Sequence, residues 1–93
     1  MKIRYRRVAI ADLAGIREFI CKSNPLAARR VIAEIRRRLN GLSNFPEKYR
    51  AGPVDGAREV GISKYGYIVT YTIEGEHIVI LSVFHAAQDK PRG

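Results

Sequence analysis

The sequence predicts an α+β domain, β-α-α-β-β-β in order, with a two-helix antiparallel hairpin packed on one face of a small, mainly antiparallel sheet. Three observations predict it. Apolar residues recur at helical spacing between residues 25 and 42. A Ser-Asn-Pro reversal, too short for anything but a tight turn, joins that stretch to an earlier helical one. After residue 56, three alternating or apolar runs are separated by glycine-bearing turns.

The elements follow in order. Lys-Ile-Arg-Tyr at residues 2–5 alternates and reads as a short first strand. From about Val8 to Lys22, Ala9, Leu13, Ile16 and Ile20 keep helical spacing, with Phe19 flanking them and Cys21 near the end as a small buried hydrophobe. Asn24 suits the N-cap of a second helix, and Pro25 sits where a first-turn proline costs no hydrogen bond. Ala28, Val31, Ile35, Leu39 and Leu42 then form one narrow stripe. Arg29 and Arg36 border the stripe, Arg30 and Arg37 point nearly opposite it, and Glu34 stands four residues from both Arg30 and Arg38. Asn40 and Gly41 suit the helix end. Residues 44–56 read as a loop, 57–62 and 66–73 as strands, and Glu-Gly-Glu as a hairpin turn into a doubly covered strand at 77–84. Alternation along that last strand groups His85 with Val79, Leu81 and Val83, and Thr70 and Thr72 are compatible with an exposed sheet face.

Composition narrows the function classes. At 93 residues and 46% hydrophobic, the chain is expected to be a single domain, 1–93, with a modest core and no deep lidded cleft. One Cys and two His, far from any ligand spacing, predict no metal and no cofactor. No secretory h-region and no run of about 18 apolar residues is present, so a cytoplasmic protein without a membrane segment is expected. Charge is uneven: residues 1–50 hold 13 Lys/Arg against 4 Asp/Glu (+9), and residues 51–93 hold 4 against 5 (−1). So basic a half should attract an anion, either nucleic acid or an acidic protein segment.

Four stretches, taken in order, resemble one family. The run from Ala11 to Glu47, with Asn-Pro-Leu-Ala-Ala-Arg-Arg-Val at its turn, resembles the helix hairpin of the ParE branch of the RelE/ParE toxin superfamily. Gly-Ala-Arg-Glu-Val is similar to that family's Gly-Thr-Arg-Glu-Leu strand, with Ala57 where Thr is commoner. Tyr-Gly-Tyr-Ile-Val-Thr-Tyr resembles its aromatic strand, and Ile80 to Asp89 its Ile-Leu-x-Val-x-His-x-x-Arg-Asp ending, with Gln88 in place of the arginine. The resemblance spans about Ile3 to Asp89. It implies a toxin of a bacterial type II toxin–antitoxin pair, forming a hetero-oligomer with a ParD-like antitoxin whose acidic, amphipathic C-terminal segment wraps it. On the toxin, Arg29, Arg36 and Arg37 with Val31, Ile35 and Leu39 are the expected partner-binding residues.

The superfamily divides between ribonucleases of the RelE type and ParE-type proteins that poison DNA gyrase without cutting nucleic acid themselves. Metal-free RNA cleavage needs a base, an acid and cations near one phosphate. His85, Arg58 and Glu59 are the candidates for such a centre, yet Arg58 and Glu59 are strand neighbours and point to opposite faces. Basic residues are sparse after residue 50, and Gln88 carries no charge. His85 is therefore read as a hydrogen-bonded strand terminus or part of a contact surface rather than a base. The expectation is a non-enzymatic gyrase poison, with Arg50, Arg58, His85, Gln88 and Asp89 as target-contact candidates. The alternatives are a metal-independent mRNA endonuclease, or a degenerate toxin that only binds its antitoxin.

Overall fold

A computed structural model describes residues 1–45 and 56–87 of the chain. Within them the order is β1 (Lys2–Tyr5), α1 (Arg7–Cys21), α2 (Pro25–Asn40), a short 3-10 turn (Gly41–Ser43), β2 (Ala57–Ile62), β3 (Tyr67–Glu74) and β4 (His77–His85). Four strands form one sheet in the order β1-β4-β3-β2. β1 runs parallel to β4, and the other two pairings are antiparallel.

The helices form where the local chemistry allows them. Asn24 Oδ1 accepts the Ala27 N–H at 3.0 Å, satisfying one of the amides that α2 leaves without a helical partner. Ala28, Val31, Ile35 and Leu39 are all buried, and Leu42 joins them from the 3-10 turn. Each such burial stabilises the fold by about 1.5–3 kcal/mol for the larger side chains. From α1 only Ala9 and Leu13 are fully buried, while Ile16 and Ile20 pack at the edge of the core. Cys21, expected inside, is exposed: it follows Ile20 by about 100° around the helix and so leaves the inward stripe.

Two corrections concern α2's charges. Glu34 pairs with Arg37, one turn on, at 2.8 and 2.9 Å rather than with Arg30 or Arg38. That fork of hydrogen bonds from Arg37 holds the Glu34 carboxyl below its ordinary range. Arg38 instead reaches across to the sheet and donates to the Gly61 carbonyl at 3.2 Å.

The sheet contains a feature that alternation cannot reveal. Thr70 pairs with Ser82 and Tyr71 with Ile80, so Leu81 is an extra residue in β4. The bulge shifts the faces. Ile78 and Ile80 share the helix-facing side with Val83 and His85, while Val79 lies opposite with Ser82 and Phe84. The expected grouping of His85 with Val79 and Leu81 is thus wrong. On the face away from the helices, Glu59, Thr70 and Ser82 stand side by side across three strands, each under a tenth exposed. Thr70 is therefore not on an open face, and its hydroxyl has no hydrogen-bond partner among the described residues.

Candidate partner-binding surface

The strand-and-helix geometry places a groove of about 390 Å³ where α1 and α2 approach the end of β1. It is lined by Tyr5 from β1, Ile10, Leu13 and Ala14 from α1 and Ile32 from α2, with Arg17 and Arg36 as its charges. Arg36 lies 5.6 Å over the Tyr5 ring, where the ring face attracts a cation. Burial pushes the Tyr5 phenol above its ordinary value, and the Arg36 charge partly opposes that shift. Ile10, beside this groove, is 56% exposed, and Val8 near it along the chain is 57% exposed. An apolar groove with two guanidinium groups and exposed aliphatic side chains can hold apolar anchors flanked by carboxylates.

The partner-binding residues expected from sequence separate into two groups. Arg36 is in the groove, and Arg29 is exposed on the same helix. Arg37 is exposed too, but it is committed to Glu34 on a different side of α2, beside Lys64 and Tyr65. Val31, Ile35 and Leu39 are 5%, 0% and 0% exposed. They belong to this chain's own core and offer no surface to a partner. Sequence reasoning missed Tyr5, Ile10, Arg17 and Ile32. One signal was present: Ile10 is apolar yet lies off the Ala9–Leu13–Ile16–Ile20 stripe, so the core does not account for it.

On another side of α1, His85 closes β4. Its Nδ1 accepts the Ala87 N–H at 3.1 Å, and its ring meets Tyr67 edge-on, centroids 5.1 Å apart and planes at 87°. Gly66, at φ +76°, makes room for it: a Cβ there would lie 2.9 Å from His85 Nε2. Ala86 N–H donates to the Gly66 carbonyl at 2.8 Å, so histidine and glycine together fix the strand's exit. A second groove of about 550 Å³ runs from His85 and Tyr67 past Val83 to Gly15 and Phe19 of α1, and Phe19 is 76% exposed. Burial raises the Tyr67 phenol above its ordinary value.

The register does not gather the nuclease candidates. Arg58 pairs with the fully buried Tyr71 on the helix side, and Glu59 with Thr70 on the other. His85 stands opposite Tyr67, four residues from Tyr71 along β3, so about 13 Å separates the two levels. General acid–base chemistry needs contacts of about 3 Å to the same reacting atoms. Each of Arg58, Glu59 and His85 has interactions within the fold. Arg50, Gln88 and Asp89 lie outside the described residues. Among the described residues no group of His, Cys, Asp and Glu could hold a metal ion, and no helix is long and apolar enough to cross a membrane.

Comparison with known proteins places this geometry. The protein Y4kP of Sinorhizobium fredii, named as a toxin, is 34% identical over 91 residues, covering 98% of this chain and 94% of its own. Toxin RelE2 of Caulobacter vibrioides is 29% identical over 80 residues, covering 86% and 89%. A solved structure from the chromosomal ParDE TA system of P. aeruginosa matches with a TM-score of 0.82 at 20% identity, covering 91% of this chain and 95% of that one. At that identity the likeness shows the fold. Residues 3–90 match the sequence model of the family described as the ParE toxin of type II toxin-antitoxin system, parDE. With nearly the whole chain inside that match, and two helices lying on a mixed four-stranded sheet, the chain belongs to the ParE toxin family of the ParE/RelE superfamily.

Proposed function

We propose that this toxin acts by binding: it poisons DNA gyrase without cutting nucleic acid itself, and an antitoxin with an acidic, amphipathic segment neutralises it by occupying the groove between α1, α2 and β1. The observation that carries the non-enzymatic reading is the separation of Arg58, Glu59 and His85. Glu59 faces away from the other two, and Arg58 and His85 lie at levels about 13 Å apart along β3. His85 Nδ1 already accepts a backbone amide, as a residue shaping the strand end does. Gyrase as target follows from the ParE family's resemblance; the antitoxin reading is supported by the net charge of +8 and by the apolar groove with Arg17 and Arg36 in it. That a solved relative comes from a ParDE pair agrees with it.

The test is growth arrest by His85→Ala, expressed without antitoxin and checked for folding by circular dichroism. Arrest within a few-fold of the parent is expected. A folded His85→Ala protein that no longer arrests growth, while mRNA cleavage seen with the parent also disappears, would return the enzyme reading.

A further inference from the structure

The side of α2 that carries Arg30 and Arg37 lies well round the helix from Ile32 and Arg36 of the apolar groove, at about 100° per residue. There an open depression of about 260 Å³ is lined by Arg30, Ala33, Glu34 and Arg37, with Lys64 and Tyr65 opposite them. Lys64 and Tyr65 sit in the turn between β2 and β3. The Tyr65 and Gly66 amides both donate to the Ile62 carbonyl, at 3.1 and 2.9 Å, and fix that turn. Lys64 Nζ lies 5.5 Å from the centre of the Tyr65 ring, which favours the ammonium group there.

Three cations against one carboxylate leave the depression with an excess of two positive charges. Glu34 takes both of its hydrogen bonds from Arg37. These bonds hold its carboxyl below the ordinary range, and the Lys64 and Arg38 charges add to the effect. Arg37 is thereby oriented while its side chain stays 68% exposed, and its remaining guanidinium donors can meet another anion. Arg30 is exposed and has no ion pair among the described residues.

Apolar anchors are scarce on this side. The exposed Val8, Ile10 and Phe19 belong to α1, and Leu26, one turn before Arg30, lies outside the depression. An acidic protein segment held here would depend on surface ion pairs, which contribute little each. A nucleic-acid backbone needs only spaced cations, because each neutralised phosphate releases counterions.

We propose that this face binds the phosphate backbone of duplex DNA without reading its sequence. Arg30 and Arg37, about 10 Å apart along α2, and Lys64 beside them each meet a phosphate. Over that length the duplex carries roughly six negative charges, at one per about 1.7 Å of axis, so the row has several phosphates within reach. Glu34 orients Arg37 rather than touching the DNA. The inference goes beyond the gyrase reading: it gives the toxin its own contact with DNA, on a face separate from the groove proposed for the antitoxin.

The test is fluorescence anisotropy of a labelled duplex of two helical turns, about 20 base pairs, titrated with the purified full chain. Saturable binding is expected, equal within a few-fold on two unrelated sequences. Between roughly 50 and 200 mM salt, log K should fall against log salt with a slope on the order of −3, for three phosphate contacts. The Arg30→Glu, Lys64→Glu double variant should bind at least roughly tenfold more weakly, with a slope near about −1. The Lys2→Glu, Arg4→Glu double variant loses the same charge from β1, at the opposite edge of the sheet, and should bind within a few-fold of the parent. Circular dichroism checks that all three are folded. Equal losses in the two double variants would reduce the effect to net charge and overturn the proposal. So would absence of saturable binding, or a polyglutamate peptide that displaces the duplex as well as unlabelled duplex does. No gyrase enters the assay, so a chain that poisons gyrase yet fails to bind duplex refutes this inference alone.

Discussion

Gly66 and His85 show how single residues set the end of the sheet. Gly66 is held at φ +76°, a conformation that costs a side-chain-bearing residue, and its missing Cβ is the space that His85 Nε2 occupies. Gly66→Ala should therefore destabilise the fold by about 1–3 kcal/mol, read as a lower urea midpoint, and should shift the His85 and Tyr67 ring resonances together. A variant of unchanged stability with unmoved rings would contradict this packing. Neither glycine nor histidine reveals the contact in the sequence, because they are 19 positions apart and meet only through the β3–β4 register. The charged residues were legible only in part. Glu34 has arginines three and four positions away on the same helix, and the three-residue partner wins because Arg38 finds the Gly61 carbonyl on β2. That choice depends on where the strand lies, which helix spacing does not encode.

Elements meet through one backbone amide as much as through their apolar faces. β1 ends at Tyr5, leaving the continuing edge of β4 without a neighbour. Asp12 of α1 takes over there, its carboxylate accepting the Val83 N–H at 2.9 Å. The Leu81 bulge is what turns Val83, rather than Ser82, toward that edge. Asp12→Ala should cost about 1–3 kcal/mol by stranding a part-buried amide and should speed hydrogen exchange at Val83 ahead of its neighbours; unaltered exchange there would refute the tether. Most elements were readable beforehand for a physical reason. α2 carries an N-cap, a first-turn proline and a stripe at one period, three signals that agree. β2 was bounded by glycines and turn residues, and it lies at the residues expected. β4 was readable as a strand but not as a bulged one, since six of its nine residues are apolar and a frame shift leaves the pattern unchanged. The same ambiguity misplaced the partner-binding stripe: Val31, Ile35 and Leu39 looked equally suited to a partner and to the core until the sheet was seen beneath them.

At the scale of the whole molecule, charge and apolar exposure coincide. The +9 half of the chain is the half that builds β1 and the hairpin, and it carries Val8, Ile10, Phe19 and Leu26, each more than half exposed. Exposed apolar side chains grouped with positive charge mark an interaction surface, so the hairpin is the face proposed above for a partner. The candidate nuclease groups, by contrast, are divided between two faces and two levels of the sheet. The measurement that bears most directly on this account is gyrase supercoiling of relaxed plasmid by the purified, antitoxin-free protein, with trapped cleaved DNA scored in the same reaction. A binding poison predicts lost supercoiling together with accumulated breaks that depend on gyrase. Unimpaired supercoiling with folded protein, alongside mRNA cleavage on translating ribosomes, would contradict it.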